Sequence, residues 1–348
     1  MMEFQNILLI RTDRIGDVVL TSPLITIIHR EFPRSKIFFL TRDYTAPLLK
    51  HYEFLDEIII YQPETEHRGF SGHLKLGRIL KEKKIDIAFL FYPLPGLALA
   101  LFMAEIPFRV GTGYRWFSFF LNYRIYEHRK YGQKHELEYN LSLIQKFIKK
   151  VPKPAEIQFH FQVDEHLKNL QRVALNKLQI TAEYIIIHPG SGGSAPNLPA
   201  EMFTRIIKYL LEQTDAFIII TGDQAESDLI QRITGNMEEK KLRQITGDWD
   251  LETYTAIISG ASLFISNSTG PLHIARAMNI PLLAFYCPAF PCSPERWGPY
   301  NQPDSVITPP IEPCKSCHPE KCPHGNCLSL ISWEMIQSRL DLRLKKIS

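Results

Sequence analysis

Residues 262–290 read SLFISNSTGPLHIARAMNIPLLAFYCPAF, a strand, a polar turn, a short helix and a second strand. Leu263 to Ile265 supply a short apolar strand, and Asn267, Ser268, Thr269 and Gly270 gather hydroxyl and amide groups at its C-terminal end. Pro271 suits the first turn of a helix, where its missing N–H would have had no partner. His273 falls in the same turn. In an open parallel sheet, ligands bind beyond the carboxyl ends of the strands, and the unpaired N–H groups of the next helix favour an anion such as phosphate. The stretch therefore predicts a phosphate-bearing ligand above a parallel sheet.

The same alternation extends outward in both directions. Upstream, the apolar run 184–188 enters Pro189-Gly190-Ser191-Gly192-Gly193-Ser194. Three glycines in four positions let backbone N–H groups approach a phosphate closely, although a plain flexible turn would use them equally well. No Lys-Ser or Lys-Thr follows, so this is not the G-x-x-x-x-G-K-[ST] loop, and a simple nucleoside triphosphatase is disfavoured. Helix 201–212, strand 217–221, a helix start carrying Glu226, strand 243–245 and helix 251–259 complete this half. The first half repeats the scheme: strand 6–12, a turn Asp13-Arg14-Ile15-Gly16-Asp17, helix 18–32, strand 36–40, helix 45–52, strand 57–61, helix 74–83 and strand 85–91. An apolar helix, a basic aromatic stretch and a helix over 134–150 follow. Residues 151–154, Val-Pro-Lys-Pro, break the pattern, and 157–163 alternates like one more strand, which puts the boundary near 165. The expected fold is α/β, with two Rossmann-like domains facing a central cleft. They cover 1–165 and 166–331, and a C-terminal helix over 332–348, capped by Ser332, returns to the first domain.

With 45% hydrophobic and 22% charged residues the chain reads as globular. A net charge of +3 is too small to make nucleic acid the main partner. The charge is uneven, however: residues 101–153 hold ten Lys or Arg against four Glu. That excess is either a solvated helical face or an attraction for an anionic acceptor or membrane surface. No signal-peptide pattern opens the chain, so a cytoplasmic location is expected. The uncharged run 87–104 contains Pro93, Pro95 and Gly96 and is shorter than the roughly 20 residues that a spanning helix needs. It reads as strand, turn and apolar helix, with the alternative that Leu97 to Met103 dips into a membrane surface.

All six cysteines fall between Cys287 and Cys327. Cys314, Cys317, Cys322 and Cys327, with His318 and His324 among them, could bind a structural zinc through four thiolates; disulfides and reduced thiols are the other readings. Four thiolates would close the coordination shell, so the cluster does not suggest a catalytic metal.

Four segments together resemble glycosyltransferase family 9, which includes the bacterial lipopolysaccharide heptosyltransferases. They are Ile10-Arg-Thr-Asp-Arg-Ile-Gly-Asp-Val-Val-Leu-Thr-Ser-Pro23, His188-Pro-Gly-Ser-Gly-Gly-Ser194, Ser266-Asn-Ser-Thr-Gly-Pro-Leu-His273 and the downstream cysteines, in family order across nearly the whole chain. The resemblance implies a GT-B fold, an N-terminal acceptor domain, a nucleotide-sugar domain after it, and inversion at the anomeric carbon with no catalytic metal or other cofactor. It implies that Asp17 is the catalytic base. The residues alone would equally allow Asp17 to cap the helix that follows. The resemblance also implies a donor site of His188, Gly190, Ser191, Gly192, Gly193, Ser194, Asn197, Glu226, Asn267, Ser268, Thr269, Gly270 and His273, with Arg14 and His135 towards the acceptor.

Two positions depart from the family pattern. Pro196 stands where members often carry a lysine or arginine, and Ser268 where well-known heptosyltransferases carry an acidic residue that holds sugar hydroxyls. The implied donor is a nucleotide sugar resembling ADP-heptose, and the implied acceptor is an anionic, lipid-linked glycan at the inner membrane. A non-catalytic nucleotide-sugar-binding protein and a nucleotide-sugar epimerase of the same fold are the competing readings.

Overall fold

A computed structural model describes residues 3–347 apart from 236, 238, 248 and 318–321. Strands β1 (Asn6–Ile10), β2 (Lys36–Arg42), β3 (Glu57–Tyr61), β4 (Ile87–Leu90), β5 (Phe108–Thr112) and β6 (Tyr123–Ile125) form a parallel sheet in the order β3-β2-β1-β4-β5-β6. Strands β7 (Tyr184–His188), β8 (Phe217–Gly222), β9 (Leu242–Thr246), β10 (Leu263–Asn267), β11 (Leu282–Phe285) and β12 (Val306–Ile307) form a second parallel sheet in the order β12-β11-β10-β7-β8-β9. Both orders are doubly wound, with the direction of winding reversing between β1 and β4 in one sheet and between β7 and β10 in the other.

Helices cover both faces of each sheet, so the central strands are apolar on both sides. Ile7 to Ile10 are fully buried, as are Ile185 to Ile187 and Leu263 to Ile265. The register carries this through the layer: Ile7 lies opposite Ile37 and Ile87, and Ile185 opposite Leu263 and Ile218. The chain divides into two compact units, one formed by 3–129 with 136–162, the other by 130–135 with 163–347.

Several local expectations change. The single helix over 18–32 is two, Ile15–Thr21 and Pro23–Glu31, and the first begins early enough to take Asp17 into its first turn. Pro23, lacking an N–H, starts the second. Residues 157–163 are not a strand. Ile157 and Phe159 are buried in alternation, yet the only pairing described is an isolated antiparallel bridge from Phe161 to Tyr52. His160, at φ +50°, turns the chain off the extended path. Period-two burial here marks a strap on the first unit rather than a ladder. The short strands β6 and β12 lay in stretches whose composition did not signal them.

The C-terminal helix, Trp333–Ile347, is capped as expected, with the Met335 N–H donating to Ser332 Oγ at 3.4 Å. Its expected return to the first domain is corrected, because Trp333, Ile336 and Leu340 are buried in the core of the second unit with Phe203, Ile207 and Leu210.

Candidate active site

In the first unit, Asp17 sits just past the C-terminal end of β1, at the reversal point of the sheet. The N-cap of its helix is the exposed Arg14, not Asp17, so the capping alternative does not describe this carboxylate. Asp17 is instead buried and paired with Arg11 Nη2. Arg11, itself 3% exposed, spends its whole guanidinium on carboxylates and an amide: Nε on Asp13 at 2.7 Å, Nη1 on Glu136 at 3.2 Å and on Asn140 Oδ1 at 3.0 Å. Arg129 also pairs with Glu136, and Asn140 Nδ2 donates to Thr21 Oγ1 at 3.1 Å, which in turn donates to the Asp17 carbonyl at 2.8 Å.

Three carboxylates thus share two guanidinium groups. Burial pushes the Asp17 carboxyl up, to about 7, against the pull of Arg11, and the nearby Asp13 and Glu136 add to the rise. A carboxyl tuned near neutrality and held by a fixed arginine is suited to taking a proton from a hydroxyl. Arg11, Glu136 and Asn140 were missed as site residues. The available signal was Arg11 itself, a charge continuing an apolar, doubly buried strand, which has to be paired to be tolerated there.

In the second unit the loops after β7 and β10 leave from the two strands that flank the reversal point. Gly192 and Gly193 take φ values of +54° and +72°, a conformation that side-chain-bearing residues rarely adopt, so this loop uses its glycines for backbone shape. A Cβ at Gly190 would collide with the carboxylate of Glu226, which accepts from Gly192 N and Asp223 N at 3.2 Å each. Glu226 therefore organises the loop from behind as well as closing the turn that starts at Asp223. Ser191 Oγ donates to the Ala195 carbonyl at 2.7 Å and Ser194 Oγ to the Ser191 carbonyl at 2.6 Å.

Asn267 is fully buried and joins the two loops. Its Oδ1 accepts from Leu198 N at 3.0 Å, and its Nδ2 donates to the Pro189 carbonyl and to Asn197 Oδ1. His188 Nδ1 lies 2.9 Å from Thr221 Oγ1 and 3.2 Å from Tyr254 Oη, with Nε2 3.9 Å from Glu226. Burial pushes its imidazole down, towards the neutral form. In the structure the polar atoms of Asn267 and His188 are spent on protein partners that shape the loops.

Ser268, Thr269 and Gly270 lead into the helix Gly270–Ala277, whose N-cap Thr269 makes no side-chain capping bond. Tyr286 Oη donates to the Trp297 carbonyl at 2.6 Å, which leaves its oxygen to accept from Ser268. His273, in the first turn, is buried, and its Nδ1 has no hydrogen-bond partner among the described residues. Burial, reinforced by His135, pushes its imidazole down to about 3, so it is neutral at ordinary pH. A buried polar atom without a protein partner at the start of a helix is a natural ligand contact. His135 belongs to the second unit: its Nε2–H donates to the Gly298 carbonyl at 2.8 Å and its ring packs on Tyr300.

The expected four-cysteine zinc set is not assembled. Among the described residues no three His, Cys, Asp or Glu side chains are grouped to hold a metal ion, and all six cysteines are free. His318 lies outside the described residues. The spacing suggested partners close in sequence, whereas Cys317 Sγ lies 3.9 Å from Cys287 Sγ, after β11, and Cys327 is buried in the second core. Burial, together with Cys287, pushes the Cys317 and Cys327 thiols up to about 12, which keeps them protonated. The segment also braces the glycine loop, through Cys292 Sγ on the Ser194 carbonyl at 3.9 Å and Asn326 Nδ2 on the Asn197 carbonyl at 2.7 Å.

Two parallel six-stranded sheets, each doubly wound, match the GT-B fold of glycosyltransferases. Residues 73–328 match the sequence profile of glycosyltransferase family 9 (heptosyltransferase), and the chain belongs to that family. A Haemophilus influenzae protein provisionally described as a glycosyltransferase is 29% identical over 312 residues, covering 87% of this chain and 88% of its own. Among solved structures, glycosyl transferase family 9 from Veillonella parvula superposes with a TM-score of 0.83 at 20% identity, over 99% of this chain and 98% of its own. Escherichia coli ADP-heptose lps heptosyltransferase II gives 0.77 at 20% identity, over 98% and 99%.

Proposed function

We propose that the protein transfers a sugar, heptose or a close relative, from an ADP-linked donor to a lipid-linked glycan of the lipopolysaccharide-core type, with inversion. The observation that carries this reading is the buried Asp17 carboxyl, raised towards neutrality and fixed by Arg11 at the end of β1. As an acceptor hydroxyl attacks the anomeric carbon, Asp17 takes its proton, and the bond to the nucleoside diphosphate breaks on the opposite side. Charge on the departing diphosphate is met by backbone N–H groups of Gly190, Ser191 and Gly193, those of Gly192 and Ser194 being spent on Glu226 and Ser191, and by the start of the helix Gly270–Ala277, with His273 Nδ1 turned to the donor. This scheme asks for no metal. The nucleotide and sugar are inferred from the likeness to the Escherichia coli ADP-heptose lps heptosyltransferase II.

The acceptor's phosphates would suit the basic excess of 101–153, and the reaction is placed at the cytoplasmic face of the inner membrane, with no role for nucleic acid. No described helix is long and apolar enough to cross a membrane, so contact would be peripheral.

The test is a thermal-shift screen against ADP-, GDP-, UDP- and CMP-sugars, followed by product analysis with a lipid-linked core acceptor in the presence of a chelator. A ligand at about 100 times its dissociation constant adds about 2.7 kcal/mol. ADP-heptose should stabilise, and product should form whether or not the chelator is present. Donor consumed without acceptor would point to an epimerase, and binding with no product in any acceptor extract to a binding protein; either result sinks the proposal.

A further inference from the structure

The reaction does not explain an aromatic surface along the β5–β6 edge of the first sheet. Phe102 and Met103 end the apolar helix Pro95–Met103 and are 47% and 43% exposed. Trp116 and Phe119, from the 3-10 turn Trp116–Phe120 between β5 and β6, are 76% and 58% exposed. The rings form one surface, with centroids 5.4 Å apart for Phe102 and Phe120, 4.3 Å for Phe120 and Phe119, and 6.4 Å for Phe119 and Trp116.

The turn is held firmly from behind. Phe117 is buried in the first core, Arg109 Nε donates to the Phe120 carbonyl at 2.7 Å, and Asn122 Nδ2 donates to the Pro107 carbonyl at 2.6 Å. A rigid backbone therefore presents the rings outward. Water is an unfavourable neighbour for so much contiguous apolar area, and monomeric proteins seldom leave it uncovered.

The charge around the patch says what covers it. Arg115 and Arg124 are exposed beside the rings, and the Arg109 guanidinium lies 5.5 Å over the ring of Phe102. Glu105, just beyond the apolar helix, is paired with Lys81 at 2.6 Å. Tryptophan and phenylalanine framed by arginines match a lipid interface, where the rings sit at headgroup depth and the guanidinium groups meet phosphates.

We propose that this edge, centred on Trp116 and Phe119 and flanked by Arg115 and Arg124, docks the enzyme on an anionic lipid bilayer. The proposal rests on the reading of the acceptor as lipid-linked. Strand β5 is two places from β1 in the sheet, about 10 Å, so the docking edge and Asp17 are carried by one rigid layer. Membrane contact would then hold the acceptor-activating carboxyl at a fixed height above the headgroups.

The test is co-sedimentation of the full-length protein with phosphatidylcholine vesicles made with or without phosphatidylglycerol. Wild-type protein should bind the anionic vesicles, with a blue shift of Trp116 emission that Trp116→Phe removes, and should bind the zwitterionic ones weakly. Both Trp116→Ala/Phe119→Ala and Arg115→Glu/Arg124→Glu should lose at least about tenfold in vesicle affinity. Far-UV circular dichroism and an unchanged urea-unfolding midpoint check that the variants are folded. The inference fails if wild-type protein ignores anionic vesicles, if folded variants bind as well as wild type, or if the patch proves to mediate self-association that Trp116→Ala abolishes. The vesicles carry no glycan acceptor, so docking without transfer would sink only the proposed reaction, and transfer to a soluble acceptor without docking only this inference.

Discussion

Replacing Asp17 with asparagine isolates the proposed chemistry from the fold. The side chain keeps its shape and its oxygen can still accept from Arg11, while the cluster goes from three carboxylates on two arginines to two on two. Because the folded carboxyl titrates at about 7, above its ordinary value, the ionised form is disfavoured by folding. That penalty is absent below about pH 4, grows until about pH 7 and then levels off, so Asp17→Asn should be more resistant to urea than wild type at neutral pH and above, with the gain vanishing below about pH 4. Transfer should nevertheless collapse. A positioned base contributes about 10²–10⁴-fold, or roughly 3–5 kcal/mol of barrier.

The assay is release of ADP from ADP-heptose with a core acceptor, run beside a direct measurement of donor affinity. Affinity should stay within a few-fold, because the donor loops belong to the second unit. In wild type, kcat/KM should rise with pH and level off near 7; at about pH 6 only about a tenth of the enzyme carries the base form. Turnover of the asparagine variant within tenfold of wild type, or a wild-type rate that is flat through neutrality, would refute Asp17 as the base.

Three further substitutions probe the supports. Arg11→Ala leaves Asp13, Asp17 and Glu136 without their shared cation, and should cost about 3–5 kcal/mol in urea unfolding and move the limb of the rate profile to higher pH, as removing a pairing charge raises the Asp17 pKa further. Asn267→Ala strands the Leu198 N–H and the Pro189 carbonyl inside the second unit; a loss of about 2–4 kcal/mol is expected, and a neutral result would mean that the loops reorganise freely. Gly193→Ala meets no atom within 4 Å but forces a side chain to φ +72°, so it should weaken ADP binding through about 1–2 kcal/mol of backbone strain, read by calorimetry.

How far the site could be read beforehand depended on whether a residue's role is local. Glycines at positive φ, a proline at the start of a helix and polar groups at strand ends are dictated by neighbours along the chain, and the loops after β7 and β10 fell where the pattern put them. Repetition of strand and helix was enough to give two doubly wound sheets, because a strand buried on both faces has little freedom in composition. Arg11, Glu136 and Asn140 were hidden because their roles come from pairings across 125 and 129 residues, which no periodicity encodes. The cysteines show the same dependence: the sequence left zinc, disulfide and reduced-thiol readings open, and packing brings Cys317 to Cys287, 30 residues away. The same limit explains the C-terminal helix, whose Ser332 cap identified a helix but could not say which of two cores would receive it. For Arg11, Glu136 and Asn140 the deciding partner lay far along the chain, and for the glycine loop within a few residues. A charged residue inside a doubly buried strand is the useful exception. Its pairing is obligatory wherever the partner lies, and for Arg11 that obligation leads directly to the carboxylate proposed to carry the reaction.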